Sequence, residues 1–205
     1  VARYQVAFNG LCVEAPPALI PWLARLPGVV AVSPVQPVRR TNSNTVPFIG
    51  APTVWSHLSA RGKGIRVAVI DSGIDYTHKD FGGPGTLAAY QGNDPTVIEP
   101  GTFPTAKVIG GYDFVGDDYP SGGPHPDPDP LDPAPNGHGT QVAGIIAGIG
   151  VPGKIGPGVA PDALLLAYKI YGRTGGSTQD IVLQALDRAM DPDGDGSVSD
   201  HADVI

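Results

Sequence analysis

Two residues in this sequence stand in surroundings that could turn an ordinary side chain into a catalytic one. Asp71 follows the apolar run at 65–70 (Ile-Arg-Val-Ala-Val-Ile) and opens Asp71-Ser72-Gly73-Ile74-Asp75. The run reads as a buried strand, and in an open parallel sheet chemistry collects at the carboxyl ends of strands, where this carboxylate stands. So placed, it can orient an imidazole, hold its tautomer and stabilise the imidazolium, as the acid of a Ser-His-Asp triad does. A lone aspartate there would more simply cap a helix or a turn. His138 lies in Asn136-Gly137-His138-Gly139-Thr140-Gln141-Val142-Ala143-Gly144, opening a helix otherwise built from small and apolar residues. Such a helix packs close to a sheet and would hold the ring at the edge of the core. There it can pass a proton between a serine hydroxyl and a leaving amine near neutral pH. Alone, this histidine too would read as a cap or a surface residue, so the pair carries the chemical reading.

Three further patterns invite a functional reading. Asp191-Pro192-Asp193-Gly194-Asp195-Gly196-Ser197-Val198-Ser199 fits the start of an EF-hand-type calcium loop, with Asp191, Asp193 and Asp195 as oxygen ligands and a glycine at the sharp turn. The bidentate Glu expected at the twelfth loop position is missing, since Ala202 stands there and Asp203 comes one residue late. A plain acidic turn between helix and strand is the alternative. Gly148-x-Gly150-x-x-Gly153 matches a dinucleotide fingerprint in letters only: it follows a helix and contains Pro152, whereas the fingerprint needs strand, turn, then helix. The tract 124–135, with Asp127, Asp129 and Asp132, reads as a stiff polar surface loop entering the histidine helix.

The elements that must position these groups follow an α/β order. From Val46 onward apolar strands alternate with helices, which predicts a parallel sheet sandwiched by helices. Strands are expected at 65–70, 108–114 and 163–170, helices at 138–149 and 179–190, and the entry to a buried strand at 201–205. Ser177 and Asp180 suggest a capping box for the last helix, whose Ile181, Val182, Ala185, Leu186 and Ala189 fall on one face. Residues 1–38 read as a small α+β unit of their own. It has alternating residues at 4–8, a tight Asn9-Gly10 turn, a strand at 11–14, a helix at 17–26 and a closing strand at 29–32. So short a unit is expected to lean on a partner surface. Residues 34–44, with two prolines, Arg39-Arg40 and a polar run, read as a linker.

Composition narrows the classes. With 41% hydrophobic residues in a chain of 205, a real core can be buried. The 29 glycines and 23 prolines sit between apolar runs, so they predict turns and long loops rather than disorder. The net charge of -7 comes from Asp-rich loops while the basic residues are scattered, which argues against nucleic acid and makes cations the expected partners. No stretch approaches a membrane span. The single cysteine, Cys12, excludes an internal disulfide or thiolate metal cluster, and its apolar context reads as a buried, inert thiol.

Val-Ala-Val-Ile-Asp-Ser-Gly-Ile-Asp around Asp71 and Gly-His-Gly-Thr-Gln-Val-Ala-Gly-Ile around His138 resemble, in that order, the Asp and His motifs of the subtilisin-like serine proteases (peptidase S8). Val46-Pro47-Phe48-Ile49-Gly50-Ala51 is similar to the start of the mature enzyme, and Gly158-Val159-Ala160-Pro161 to the segment before the next sheet strand. Lys169 to Ser177 is similar to the segment whose exposed strand pairs with the substrate backbone. The resemblance implies a secreted or extracellular serine endopeptidase, cell-wall association included, acting on proteins or peptides without a catalytic cofactor. His138 would be general base then acid, with Asp71 orienting it. Gly175, Gly176 and Ser177 would add the peptide as an extra strand, and Ca2+ would be structural. It also implies that residues 1–40 are the later half of an I9-type inhibitor propeptide, the enzyme's own partner, that 41–46 is the maturation region, and that 47–205 begins the catalytic domain.

The sequence departs from the family in one decisive respect. No Gly-Thr-Ser-Met-Ala-like segment occurs, and Ser72, Ser177 and Ser197 lack the context of a nucleophile, so the serine and the oxyanion-hole Asn are expected downstream. Gln141 stands where many members carry a second histidine. The chain opens at Val1 without a methionine and stops at the entry to a strand, which reads as an internal fragment, inactive by itself. A pseudoprotease used for binding and a calcium-binding extracellular module are the rival readings.

Overall fold

The computed structural model describes residues 2–4, 10–34 and 42–205, and the chain divides into two compact units, Val1–Arg40 and Thr41–Ile205. In the first, β1 (Ala2–Tyr4) pairs antiparallel with β2 (Gly10–Cys12), Ala2 opposite Cys12 and Tyr4 opposite Gly10. Gly10 is therefore a strand residue; the rest of the expected alternation at 4–8 and Asn9 of the expected turn fall on residues 5–9, which lie outside the described residues. The helix expected at 17–26 is a 3-10 turn, Pro17–Leu19, running into the short α1 (Ile20–Leu23). Pro21 has no N–H to donate to the Pro17 carbonyl, so the full α-helical ladder cannot form across this turn. The closing strand expected at 29–32 is absent, and Val30 is fully exposed. Cys12 is free and half-buried rather than fully buried.

The second unit opens with α2 (Asn42–Phe48) and α3 (Ala51–Leu58), so residues 42–44 of the expected linker are helical, while 35–41 lie outside the described residues. Its sheet consists of β3 (Arg66–Asp71), β4 (Val108–Asp113) and β5 (Leu164–Lys169), all parallel in the spatial order β3-β5-β4. These lie within a residue of the apolar runs that predict them. Val204 adds a parallel bridge to Val67, with the Ala68 N–H donating to the Val204 carbonyl at 2.8 Å, where a strand entry was expected.

Alternation along the strands sends two sets of side chains to two faces. Val67, Val69, Leu165 and Ala167 pack with Ala143 and Ala147 of α5 (His138–Ala147). Ala68, Leu166 and Tyr168 pack with Ile181, Ala185 and Ala189 of α6 (Gln179–Met190). The architecture is thus the expected α/β sandwich. The expected Ser177–Asp180 box does not form, because Ser177 sits one residue too early. Thr178 is the N-cap, and its hydroxyl bonds the Asp180 carboxylate instead of a backbone N–H. Among the described residues no helix is long and apolar enough to cross a membrane.

Candidate active site

Asp71 is the last residue of β3, and the alternation that aims Val67 and Val69 at α5 aims Asp71 at the same side. His138 is the first residue of α5, preceded by Gly137 in the left-handed region at φ +64°. The two meet: His138 Nδ1 lies 2.7 Å from Asp71 Oδ1 and 2.9 Å from Oδ2. Asp71 Oδ1 also accepts the Ser72 N–H at 2.7 Å, which fixes the carboxylate from behind. A carboxylate can only accept, so Nδ1 carries the hydrogen and the neutral ring keeps its lone pair on Nε2. The imidazole side chain is 65% exposed and the carboxylate 13%, so a proton can reach the ring while its orienting partner stays sheltered. Nε2 has no hydrogen-bond partner among the described residues.

The helix start is seated on the loop after β3 by polar and steric fit together. The Gly139 N–H donates to Ser72 Oγ at 2.9 Å, and Ser72 Oγ–H donates to Asp132 Oδ1 at 2.9 Å. Both donors of Thr140, the backbone N–H and the hydroxyl, go to Asp132 Oδ2 at 2.8 and 2.6 Å, and Thr140 Oγ1 accepts the Asp75 N–H at 2.9 Å. Gly139 approaches so closely that a Cβ there would lie 2.2 Å from the Gly73 carbonyl oxygen. Ser72 is fully buried with its hydroxyl spent on these bonds, which leaves it no freedom to act as a nucleophile.

The tract at 124–135 is not the surface loop that its polarity suggests. Asp129, Leu131 and Asp132 are buried, and a bridge between Asp127 and Asp113 lays the tract along the edge strand β4. Tyr76 donates its hydroxyl to both oxygens of Asp129 at 2.9 Å, and the Leu131 N–H adds a third bond. Burial pushes the Asp129 carboxyl up to about 7 and that of Asp127 to about 6. Hydrophobic patterning has no signal for these residues, because their burial depends on partners distant in sequence. A cleft of about 430 Å3 opens beside Gly137 and Thr140, with Asp75, His78, Leu87 and Tyr90 in its wall.

The segment after β5 is tied to the loop before His138. Asn136 Nδ2 donates to the Gly172 carbonyl at 3.0 Å and Arg173 Nε to that of Ala134 at 3.2 Å. Gly175 and Gly176 follow, both at positive φ, and the Ser177 hydroxyl oxygen is buried without a partner among the described residues. Their main chain belongs to no strand here. Lys169, fully buried, places its ammonium 2.7 Å from Asp113 and 2.5 Å from Asp117, which also holds Arg173. Burial alone would lower the Lys169 pKa, but the two carboxylates outweigh it and raise it.

In the acidic loop, carboxylate oxygens of Asp191, Asp193 and Asp200 lie within 4.8 Å of one another. Asp195 is outside this group and accepts the Ser197 N–H at 2.7 Å. Asp191 accepts the N–H groups of Gly194, Asp195 and Gly196, while Asp200 Oδ1 is buried without a partner among the described residues. A hard, all-oxygen donor set with one orphaned oxygen fits a calcium ion.

The model of the subtilase family matches residues 62–205. Among curated proteins, the chain is similar to the minor extracellular protease Vpr of Bacillus subtilis (strain 168), 32% identical over 99% of this chain and 23% of the relative. It is likewise similar to the subtilisin-like protease SBT2.5 of Arabidopsis thaliana, 32% identical over 91% of this chain and 25% of the relative. An intracellular serine protease of Paenibacillus polymyxa is also 32% identical, over 79% of this chain and 41% of the relative. The chain therefore spans less than half the length of these relatives. The family match covers both β3 with Asp71 and α5 with His138, and the chain belongs to the subtilase family.

Proposed function

We propose that the protein of which these residues are part is a serine endopeptidase, with Asp71 and His138 as two members of its triad and the nucleophilic serine downstream of residue 205. The observation that carries this reading is the two-oxygen grip of Asp71 on His138 Nδ1, at 2.7 and 2.9 Å, with Nε2 left open. In the reaction, Nε2 takes the proton of the serine hydroxyl as its oxygen attacks the scissile carbonyl. Asp71 stabilises the imidazolium, which then gives that proton to the leaving amine. Water repeats the cycle to release the acyl group, and no cofactor is required. The main chain of Gly175, Gly176 and Ser177 is proposed to pair with the substrate backbone, which favours broad protein and peptide substrates.

Residues 1–40 are proposed as part of an I9-type propeptide, handed over to the mature chain at 41–46. An extracellular location is supported by the name of one relative, while another is named intracellular. A structural Ca2+ is proposed at Asp191 and Asp193. Asp200 is the third ligand that the geometry favours, and Asp195 the one that loop spacing favours.

The test is labelling of the full-length protein by a serine-directed fluorophosphonate. Asp71→Asn and His138→Ala should each abolish it, and undiminished labelling of either variant rejects the triad roles. The 205 residues by themselves should hydrolyse no peptide bond, since loss of one triad member costs several orders of magnitude in rate.

A further inference from the structure

We propose that Asp132 is a positioning residue for His138, its carboxylate fixing the first turn of α5 to the loop behind Asp71 through Ser72 and Thr140. The proposal rests on the protease reading above and concerns a residue outside the triad. Asp132 is 2% exposed, and each of its side-chain bonds reaches one half of the catalytic pair. Oδ1 takes the hydroxyl of Ser72, the residue after Asp71; Oδ2 takes both donors of Thr140, two residues after His138. Ser72 passes the link on to the Gly139 N–H and Thr140 to the Asp75 N–H, so the two backbones are laced together on both sides of the Asp71–His138 contact. The Asp132 carbonyl accepts the Tyr90 hydroxyl at 2.8 Å, and Pro130 and Pro133 stiffen its own segment.

The chemistry demands a carboxylate here. All three groups that face Asp132 are donors, and both hydroxyls already accept a backbone N–H. An amide in its place would turn an NH2 toward one of them. Facing Ser72, it would force that hydroxyl to accept twice and leave its own hydrogen buried without a partner, in a group with no access to water. Burial raises the Asp132 pKa and Asp71, the other charged group that faces it, adds to the rise, while Thr140 and Ser72 hold it back. With three donors facing it, an ionised Asp132 places a second negative charge behind Asp71.

A structural brace that merely stabilised the fold would change how much protein is folded. It would leave the titration of His138 in the folded molecules where it was. A positioning role moves that titration, and the two are separable in the full-length protein. Asp132→Asn should lower kcat about 10- to 100-fold with KM within about threefold, the signature of a lost transition-state geometry. The acidic limb of the kcat/KM profile should move to lower pH by about half a unit, because losing the buried charge and loosening Asp71 both disfavour the imidazolium.

The same downward move should appear in 15N NMR of the selectively labelled imidazole, a readout that needs no activity. Thr140→Val, which removes one donor, should follow Asp132→Asn, and Thr140→Ser, which restores it, should recover most of the loss. If Asp132→Asn does not fold, the Thr140 pair decides. An unmoved His138 titration in Asp132→Asn, or Thr140→Val indistinguishable from Thr140→Ser, overturns the proposal. A wild-type protein that neither hydrolyses peptides nor labels with fluorophosphonate removes the protease reading instead, and the imidazole titration still tests the positioning.

Discussion

Replacing Gly139 by alanine sets two physical effects against each other at the residue next to His138. Alanine is the better helix former by about 1 kcal/mol, so local propensity predicts a gain. Packing predicts the opposite. The new Cβ would lie 2.2 Å from the Gly73 carbonyl oxygen and 3.1 Å from the amide nitrogens of Gly73 and Ser72, all of them backbone atoms that cannot rotate aside. To regain ordinary contact, the first turn of α5 must retreat by about 1 Å, a displacement large enough to cost on the order of a hundredfold in rate. Overpacking of this kind costs roughly 1–3 kcal/mol, which outweighs the propensity gain. The retreat draws Nδ1 away from an Asp71 oxygen that is now 2.7 Å off. In the full-length protein, Gly139→Ala should therefore lower kcat/KM on a peptide substrate and the rate of fluorophosphonate labelling about a hundredfold. Thermal unfolding should fall by a few degrees, about 2–4 °C for each kcal/mol. Gly137→Ala is the control, since nothing lies within 4 Å of its Cβ and only its φ of +64° resists, at about 1–2 kcal/mol. A Gly139→Ala protein with activity within about threefold of wild type and an unchanged unfolding temperature would refute the reasoning.

Further perturbations test the buried charges and the acidic loop. The Asp129 pKa is raised by folding, from 3.8 to about 7, so the native state holds the proton more tightly than the unfolded chain. This contribution to stability therefore falls as pH rises from about 4 through 7, by at most about 4 kcal/mol. Asp129→Asn, which keeps an acceptor for Tyr76 and Leu131, should flatten the slope between pH 5 and pH 8 in urea unfolding, and parallel curves for the two proteins would contradict it. Lys169→Met leaves the buried Asp113 carboxylate uncompensated and should cost about 3–5 kcal/mol in chemical denaturation; adding Asp113→Asn should recover part of the loss, and a cost below about 1 kcal/mol would discredit the pair. Calorimetry of the full-length protein with Ca2+ should lose its binding signal in Asp191→Ala and in Asp200→Ala; an isotherm that survives both variants rejects the ion, and one lost only in Asp195→Ala returns the site to the spacing-based ligand set.

What could be read in advance follows from where the determining interactions lie. Strands β3 and β5 are buried on both faces through their centres, so their apolar runs mark them within a residue. Asp71 and His138 stand out because each sits at the end of such a marked element. Asp129 and Asp132 were invisible for the opposite reason. An Asp-Pro tract is polar by every local measure, and only Tyr76, Ser72 and Thr140, brought in from elsewhere in the chain, make its burial affordable. The first unit fails differently: in so short a segment, turn and strand preferences are weak, and tertiary pairing overrules them. It puts Gly10 opposite Tyr4 and leaves 29–32 outside any strand.

The register of the sheet shows what the buried ion network does for the site. Asp71, Lys169 and Asp113 occupy one rung, Asp71 beside Lys169 and Lys169 beside Asp113. An ammonium on the neighbouring strand is the natural partner for the Asp71 carboxylate. Were it to bind there, it would neutralise the charge that the imidazolium needs. The Lys169 ammonium instead goes to Asp113 and Asp117, on the far side of the rung. Asp113 is held for this task by the N–H groups of Val115 and Gly116, and Asp117 is shared with Arg173. Two carboxylates thus absorb the one buried cation of that rung and leave Asp71 to His138. The same groups that let a lysine sit in the core leave the Asp71 carboxylate to His138, as its proposed role requires.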